Sequence, residues 1–268
     1  MDTVLISLIT SLIVSLITFT LGVKSGKNQS DRQQLKEFYK KMTVHFQELK
    51  HGLDSYNPKT WRHFKDSNHN YSPLIKSMVA NGDIIEINKK IAIKAEKLEK
   101  DALIVGWKFY DKFQELFDIA LETIEQYETL NYSNTGNQYK IKKDITGRSY
   151  RNYYLGILFN ETLLKKELES LEGERDLGLN FRHHEGSKIV YSLLLYPDDF
   201  NKIDINDVLL EINEKAIKEI EGLEEILIEF NSLSKRLDDL IKLTAKRTRD
   251  PHTFIETVVG AIVDIFRI

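Results

Sequence analysis

The first apolar run, Thr3 to Val23 (TVLISLITSLIVSLITFTLGV), holds no charge and no proline. As a helix it would be about 31 Å long, close to the hydrocarbon thickness of a bilayer. Lys24, Lys27, Arg32, Lys36, Lys40 and Lys41 follow it, and nothing basic precedes it. By the positive-inside rule the C-terminal part then lies in the cytoplasm and the short N-terminus outside. A cleaved signal peptide wants a basic start, a shorter core and a small-x-small cleavage site. Here Met1-Asp2 precede a long core, and Gly22-Val23-Lys24-Ser25-Gly26 is a poor site. The pattern predicts an uncleaved single-pass transmembrane anchor, residues 1–24.

Inside the span Thr3, Ser7, Ser11, Ser15, Thr18 and Gly22 recur every three or four residues, which is one stripe of a helix. Small residues at this spacing let helices approach closely and hydrogen-bond across the contact. Ser7, Ser11, Ser15, Thr18 and Gly22 are therefore candidates for helix association, or for the lining of a narrow pore. The plainer alternative is that the hydroxyls bond back to their own helix.

Downstream the apolar positions keep a helical period. Leu35, Phe38, Met42, Phe46, Leu49 and Leu53 mark a helix to about Leu53, within a juxtamembrane segment 25–54. Ser55 to Ser72 interrupts it with Pro58 and the rings of Trp61, His63, Phe64, His69 and Tyr71. This is either a binding loop or a loop pinned to the core by its aromatics. Pro73 suits the first turn of a short helix ending at Asn81-Gly82. From Asp83 to about Leu130 the stripe Ile87, Ile91, Leu98, Val105, Phe109, Phe113 and Leu116 predicts one long helix. Gly106 in its middle marks a kink or a close crossing.

Asn131 to Ser149 is a polar break in which Tyr139 to Ile145 suits a strand and Thr146-Gly147 a turn. Tyr150 to Glu172 reads as a helix. Leu177 to Gly186 is a second break, and Lys188 to Tyr196 is a strand or a buried helical turn. Asp204 to Arg249 predicts the clearest helix, about 69 Å long if unbroken. Its stripe calls for an antiparallel partner in the bundle or a coiled coil between subunits. The apolar tail, residues 251–268, packs on the bundle, lies in the membrane interface or makes an oligomer contact.

The fold expected is thus all-α in the main. A single transmembrane helix precedes a cytoplasmic helical bundle, residues 55–250, with two long helices as its spine and a small β-hairpin between the polar breaks. Four prolines among 268 residues fit this helical reading. A net charge of −3 provides no global pull toward nucleic acid. The absence of cysteine excludes disulfides, thiolate metal ligands and a thiol nucleophile.

One segment has the composition of a ligand site. Tyr139, Lys140, Lys142, Lys143, Arg148 and Arg151 lie close together, with Tyr150, Tyr153 and Tyr154 beside them. Basic groups among aromatics suit a phosphate-bearing ligand, a nucleotide or single-stranded nucleic acid. They equally suit anionic lipid or a solvated loop. His183-His184-Glu185 lacks HExxH spacing, and Asp198-Asp199 resembles a turn more than paired catalytic carboxylates. No Walker A, GxGxxG or GxSxG motif is present, and no catalytic residue, metal ligand or cofactor is assigned.

The function expected is a membrane-anchored, self-associating helical sensor or effector, of the bacterial type that perturbs membranes in phage defence or as a toxin. Its partners are the membrane, further copies of the chain and a cytoplasmic protein. Two alternatives stand beside it: a passive membrane-tethered scaffold, and a nucleotide-binding or nucleic-acid-binding module or motif-less enzyme using residues 139–154.

Overall fold

A computed structural model describes residues 32–64, 73–82, 88–127, 130–135, 140–141, 150–169, 178–185, 188–197 and 205–250. The predicted span with its stripe Ser7, Ser11, Ser15, Thr18 and Gly22, and the apolar tail, lie outside them. Among the described residues no helix is long and apolar enough to cross a membrane.

The chain is mainly helical. Helix α1 (residues 32–54) buries Leu35, Phe38, Tyr39, Met42, Phe46 and Leu49, the face its three/four spacing marks. Then come α2 (Leu74–Ala80), α3 (Lys89–Asp111) and α4 (Phe113–Glu125). Strands β1 (Leu130–Thr135), β2 (Lys140–Ile141) and β3 (Tyr150–Tyr154) follow, then a 3-10 turn over Leu155–Phe159 and α5 (Glu161–Glu169). Strands β4 (Gly178–Glu185) and β5 (Lys188–Pro197) precede α6 (Ile205–Glu219) and α7 (Leu223–Arg249).

Helices α1, α3 and α7 form the spine. Thr43 Oγ1 donates to Thr244 Oγ1 at 2.9 Å and Ser234 Oγ to Asp54 Oδ1 at 2.6 Å, so α1 and α7 run antiparallel. Lys108–Glu229 at 3.1 Å and Arg236–Asp101 at 2.9 Å set α3 antiparallel to α7. The apolar stripe of α7 (Leu223, Ile226, Phe230, Leu233, Leu237, Leu240) is thereby buried within the chain's own core.

Both long helices are divided. The Asp83–Leu130 prediction becomes α3 and α4, interrupted at Lys112, whose N–H bonds the Phe109 carbonyl three residues back. The rings of Phe109, Phe113, Phe159 and Phe230 pack around this joint, so tertiary contacts set a break with no breaker residue to announce it. The Asp204–Arg249 prediction becomes α6 and α7. Gly222 adopts φ +72° there, a left-handed conformation that ends one helix and opens the next.

The expected hairpin is instead a five-stranded sheet in the order β2-β1-β5-β4-β3. All pairs are antiparallel except β3 with β4. The predicted helix from Tyr150 gives way to β3, the buried turn and α5, because YRNYY alternates exposed and half-buried positions in strand fashion. The predicted break at 177–186 is strand β4. Leu179, Phe181 and His183 face the helices, and Asn180, Arg182 and His184 lie on the other face. The 188–196 ambiguity resolves as strand β5.

Candidate cleft along the edge strand

The 55–64 loop is held by its rings. Trp61 and Phe64 are packed against the core, and the Arg62 guanidinium lies 4.5 Å from the Trp107 ring centre and 5.0 Å from that of Tyr110. His63 Nδ1 accepts from the Thr60 N–H at 2.8 Å. These contacts make Trp61, His63 and Phe64 a fastening; His69 and Tyr71 lie outside the described residues.

A buried polar junction sits deeper. Glu99, 2 % exposed, accepts at 3.1 Å from the Ile75 N–H and at 3.3 Å from the Lys76 N–H, tying α2 to α3. His45 Nε2 of α1 lies 2.6 Å from Glu99 Oε1. Each group of this junction is used in joining helices, so it reads as structure.

The open chemistry is at the end of α1. A cleft of about 570 Å³ lies between α1, β3, β4 and α5, within the usual range of ligand pockets. His51 and Asp54 of α1, with Ser55, form one wall. Leu163 and Glu167 of α5, with Ile157 from the 3-10 turn, form another. The strand side presents Arg151, Asn152, Tyr153 and Tyr154 in unbroken succession, with Arg182 and His184 behind them.

Four consecutive strand residues cannot share one face of a sheet, because neighbours alternate. The cleft therefore runs along the outer edge of β3, which among the described residues is the terminal strand of the sheet on that side. On the core side Tyr153 stacks on Phe181 with ring centres 5.6 Å apart. On the other side Tyr154, 44 % exposed, stands in register with Arg182.

Arg182 is oriented by its neighbours. With the Asn180 amide set to satisfy both partners, its oxygen accepts from Arg182 Nε at 2.7 Å and its nitrogen donates to Ser192 Oγ at 3.0 Å. The guanidinium also lies 5.4 Å from the Tyr150 ring centre. Asp54 is engaged by Lys50 and by Ser234. Among the described residues the acids lining the cleft, Asp54 and Glu167, come from helices, and the strands contribute Arg151, Arg182 and His184.

Of the basic–tyrosine segment, Arg151 lines the cleft. Tyr139, Lys142, Lys143 and Arg148 lie outside the described residues, and of Lys140 only the strand backbone is described. The sequence did not single out His51, Asp54, Arg182 or His184 for this site. The period-two run Leu179-Asn180-Phe181-Arg182 was the available signal for β4. His183, beside His184, is buried against Phe113, with ring centres 4.2 Å apart. Among the described residues no group of three or more histidines and acids is placed to hold a metal ion. Compared with protein-family models, curated proteins and solved structures, the chain matches none of them.

Proposed function

We propose that the chain is a membrane-anchored, self-associating sensor and effector, whose helical body receives a signal and whose Thr3–Val23 segment acts in the bilayer. The observation that carries this is the course of α1. Its described part runs over residues 32–54, and its far end forms a wall of the cleft. At 1.5 Å per residue this part of α1 is about 35 Å long, which suits it to serve as a lever. The hydroxyl stripe supports self-association of the segment, and perturbation of the bilayer, of the phage-defence or toxin type, is the output that suits an associating span.

The junction at the cleft end suits such a lever. Ser55 lines the cleft, and the next residue, Tyr56, accepts a hydrogen bond from Asn160 Nδ2 at 2.6 Å. The end of α1 is thus fastened to the segment between β3 and α5, and a shift of one wall is felt by the other.

The test is membrane potential in cells overexpressing the full chain. Depolarisation is expected, and it should weaken for Ser11→Leu with Ser15→Leu at equal abundance in the membrane fraction. An intact potential with the protein in the membrane would instead favour a passive tether.

A further inference from the structure

We propose that the end of the helical body where α1 begins and α7 finishes is a lipid-docking surface, held by its lysines and arginines against anionic phospholipid headgroups. This rests on the membrane-anchored reading above and fixes how the body stands on the bilayer.

Three helices bring cations to that end. α1 and α7 are antiparallel, and the Thr43–Thr244 bond sets the last turns of α7 beside the first turns of α1. The Asn88 N–H donates to Tyr39 Oη at 3.4 Å, so α3 starts there too. α1 contributes the exposed Arg32, Lys40 and Lys41. α3 adds the exposed Lys89, Lys90 and Lys94, and α7 the exposed Lys242, Lys246 and Arg249. The acids in the same turns are Glu37 and Asp250. Neighbouring residues outside the described set carry Lys24, Lys27 and Arg267 against Asp31, Asp83, Glu86, Glu256 and Asp264, which leaves this end strongly basic. The whole chain carries −3, so the rest of it is acidic.

Local causes account for part of this. The helix dipole favours cations in the last turn of α7, and those of α1 follow the predicted span as the positive-inside rule expects. Neither reason covers α3. It opens on Lys89 and Lys90, with no acid in its first turn, where the dipole disfavours cations. An external anion at this end offsets that cost.

Chain connectivity selects the anion. Residues 24–31 alone separate the apolar run Thr3–Val23 from α1, and fully extended they reach about 30 Å. Residues 251–253 alone separate α7 from the apolar positions that begin at Phe254. Both apolar runs are thus tethered to the basic end. A surface that takes up apolar segments and attracts cations at one place is an anionic bilayer. Its field draws the basic end in and repels the acidic remainder, which orients the body end-on.

The chain has no cysteine, so a single introduced one reports position. Ile93→Cys lies at the basic end of α3, and Ile228→Cys lies near the start of α7, about 30 Å along that helix from Arg249. Both side chains are exposed, 58 % and 62 %. Each full-chain variant is labelled with a fluorophore and reconstituted in nanodiscs of phosphatidylcholine alone or of equal parts phosphatidylcholine and phosphatidylglycerol. Energy transfer to acceptor-labelled headgroups is then measured. Transfer from Ile93→Cys should rise about twofold in the anionic discs and fall back in about 0.5 M salt, where screening acts within a few Å. Ile228→Cys should change little. Lys89→Glu with Lys90→Glu should remove at least half of the rise with thermal unfolding undiminished, since an acid suits a helix N-terminus. A rise that is absent, equal at both positions, or undiminished by the charge reversal would overturn the assignment. Short duplex DNA that displaces the label from anionic discs at micromolar concentration would overturn it too, giving this end to nucleic acid. A chain that stays out of phosphatidylcholine discs yet floats with anionic vesicles in a salt-sensitive manner would sink the anchor and leave the lipid-docking end standing. Insertion into both discs without a lipid-dependent rise would do the reverse.

Discussion

The carbonyl oxygen of Tyr56 occupies the space in which a side chain on Gly156 would begin. Tyr56 itself adopts φ 52°, the left-handed region that side chains seldom occupy. Its ring packs edge-on to Phe109 and Phe230, with centres 6.1 and 6.0 Å away. The end of α1 is therefore held, at some backbone cost, against the turn that follows the cleft strand.

Gly156→Ala should consequently destabilise the protein by about 2 to 3 kcal/mol, because the added methyl meets backbone, which cannot rotate away. Thermal unfolding should shift down by several degrees. An unchanged midpoint for Gly156→Ala would show that the Tyr56 contact is not tight.

Glu99→Ala should cost about 3 kcal/mol, for it strips the acceptor from the Ile75 and Lys76 N–H groups and removes the carboxylate 2.6 Å from His45 Nε2. Denaturant unfolding measures this. His45→Ala and Glu99→Ala should be less than additive, since they remove the same contact. Full additivity would contradict the pairing.

The contact between the end of α4 and α6 should respond to pH. Tyr127 Oη donates to Glu211 Oε2 at 2.6 Å, and Lys215 Nζ lies 2.9 Å from Glu211 Oε1. The hydrogen bond to Glu211, then burial and carboxylate charge, pushes Tyr127 up to about 12. The bonds from Tyr127 and Lys215 hold Glu211 below the usual carboxylate range. Glu211 thus stabilises the fold fully above that range, and the gain is lost as pH falls through its folded value. Tyr127 does the opposite: its contribution is complete below its unfolded value of about 10 and fades as pH rises through its raised one. Tyr127→Phe should flatten both limbs of the stability–pH curve, modestly, because the groups are partly open to solvent. Superimposable curves would refute the coupling.

What was legible in the sequence follows from what sets each element. The stripes of α1, α3 and α7 are set by burial on one face, and periodicity reads burial directly. The break at Gly222 had a glycine to mark it, yet the apolar spacing runs straight through from Ile220 to Leu223 and concealed it. Lys112 had no mark at all, since the Phe109–Phe113 packing decides it. The sheet was missed because β3 reads as a helix face when Tyr154, Ile157 and Leu158 are counted together; those residues belong to a strand end and a buried turn. The cleft depended on pairing β3 with β4, a long-range fact. For that reason Arg151 was within reach of the sequence and Arg182 was not.

The central claim is that the N-terminal segment associates through its hydroxyl stripe. Light scattering of the detergent-solubilised full chain, across protein concentration, measures this most directly. The wild type should be oligomeric, and Ser11→Leu with Ser15→Leu should shift it toward monomer with the fold of the helical body intact. A wild type that remains monomeric at every concentration would contradict the account.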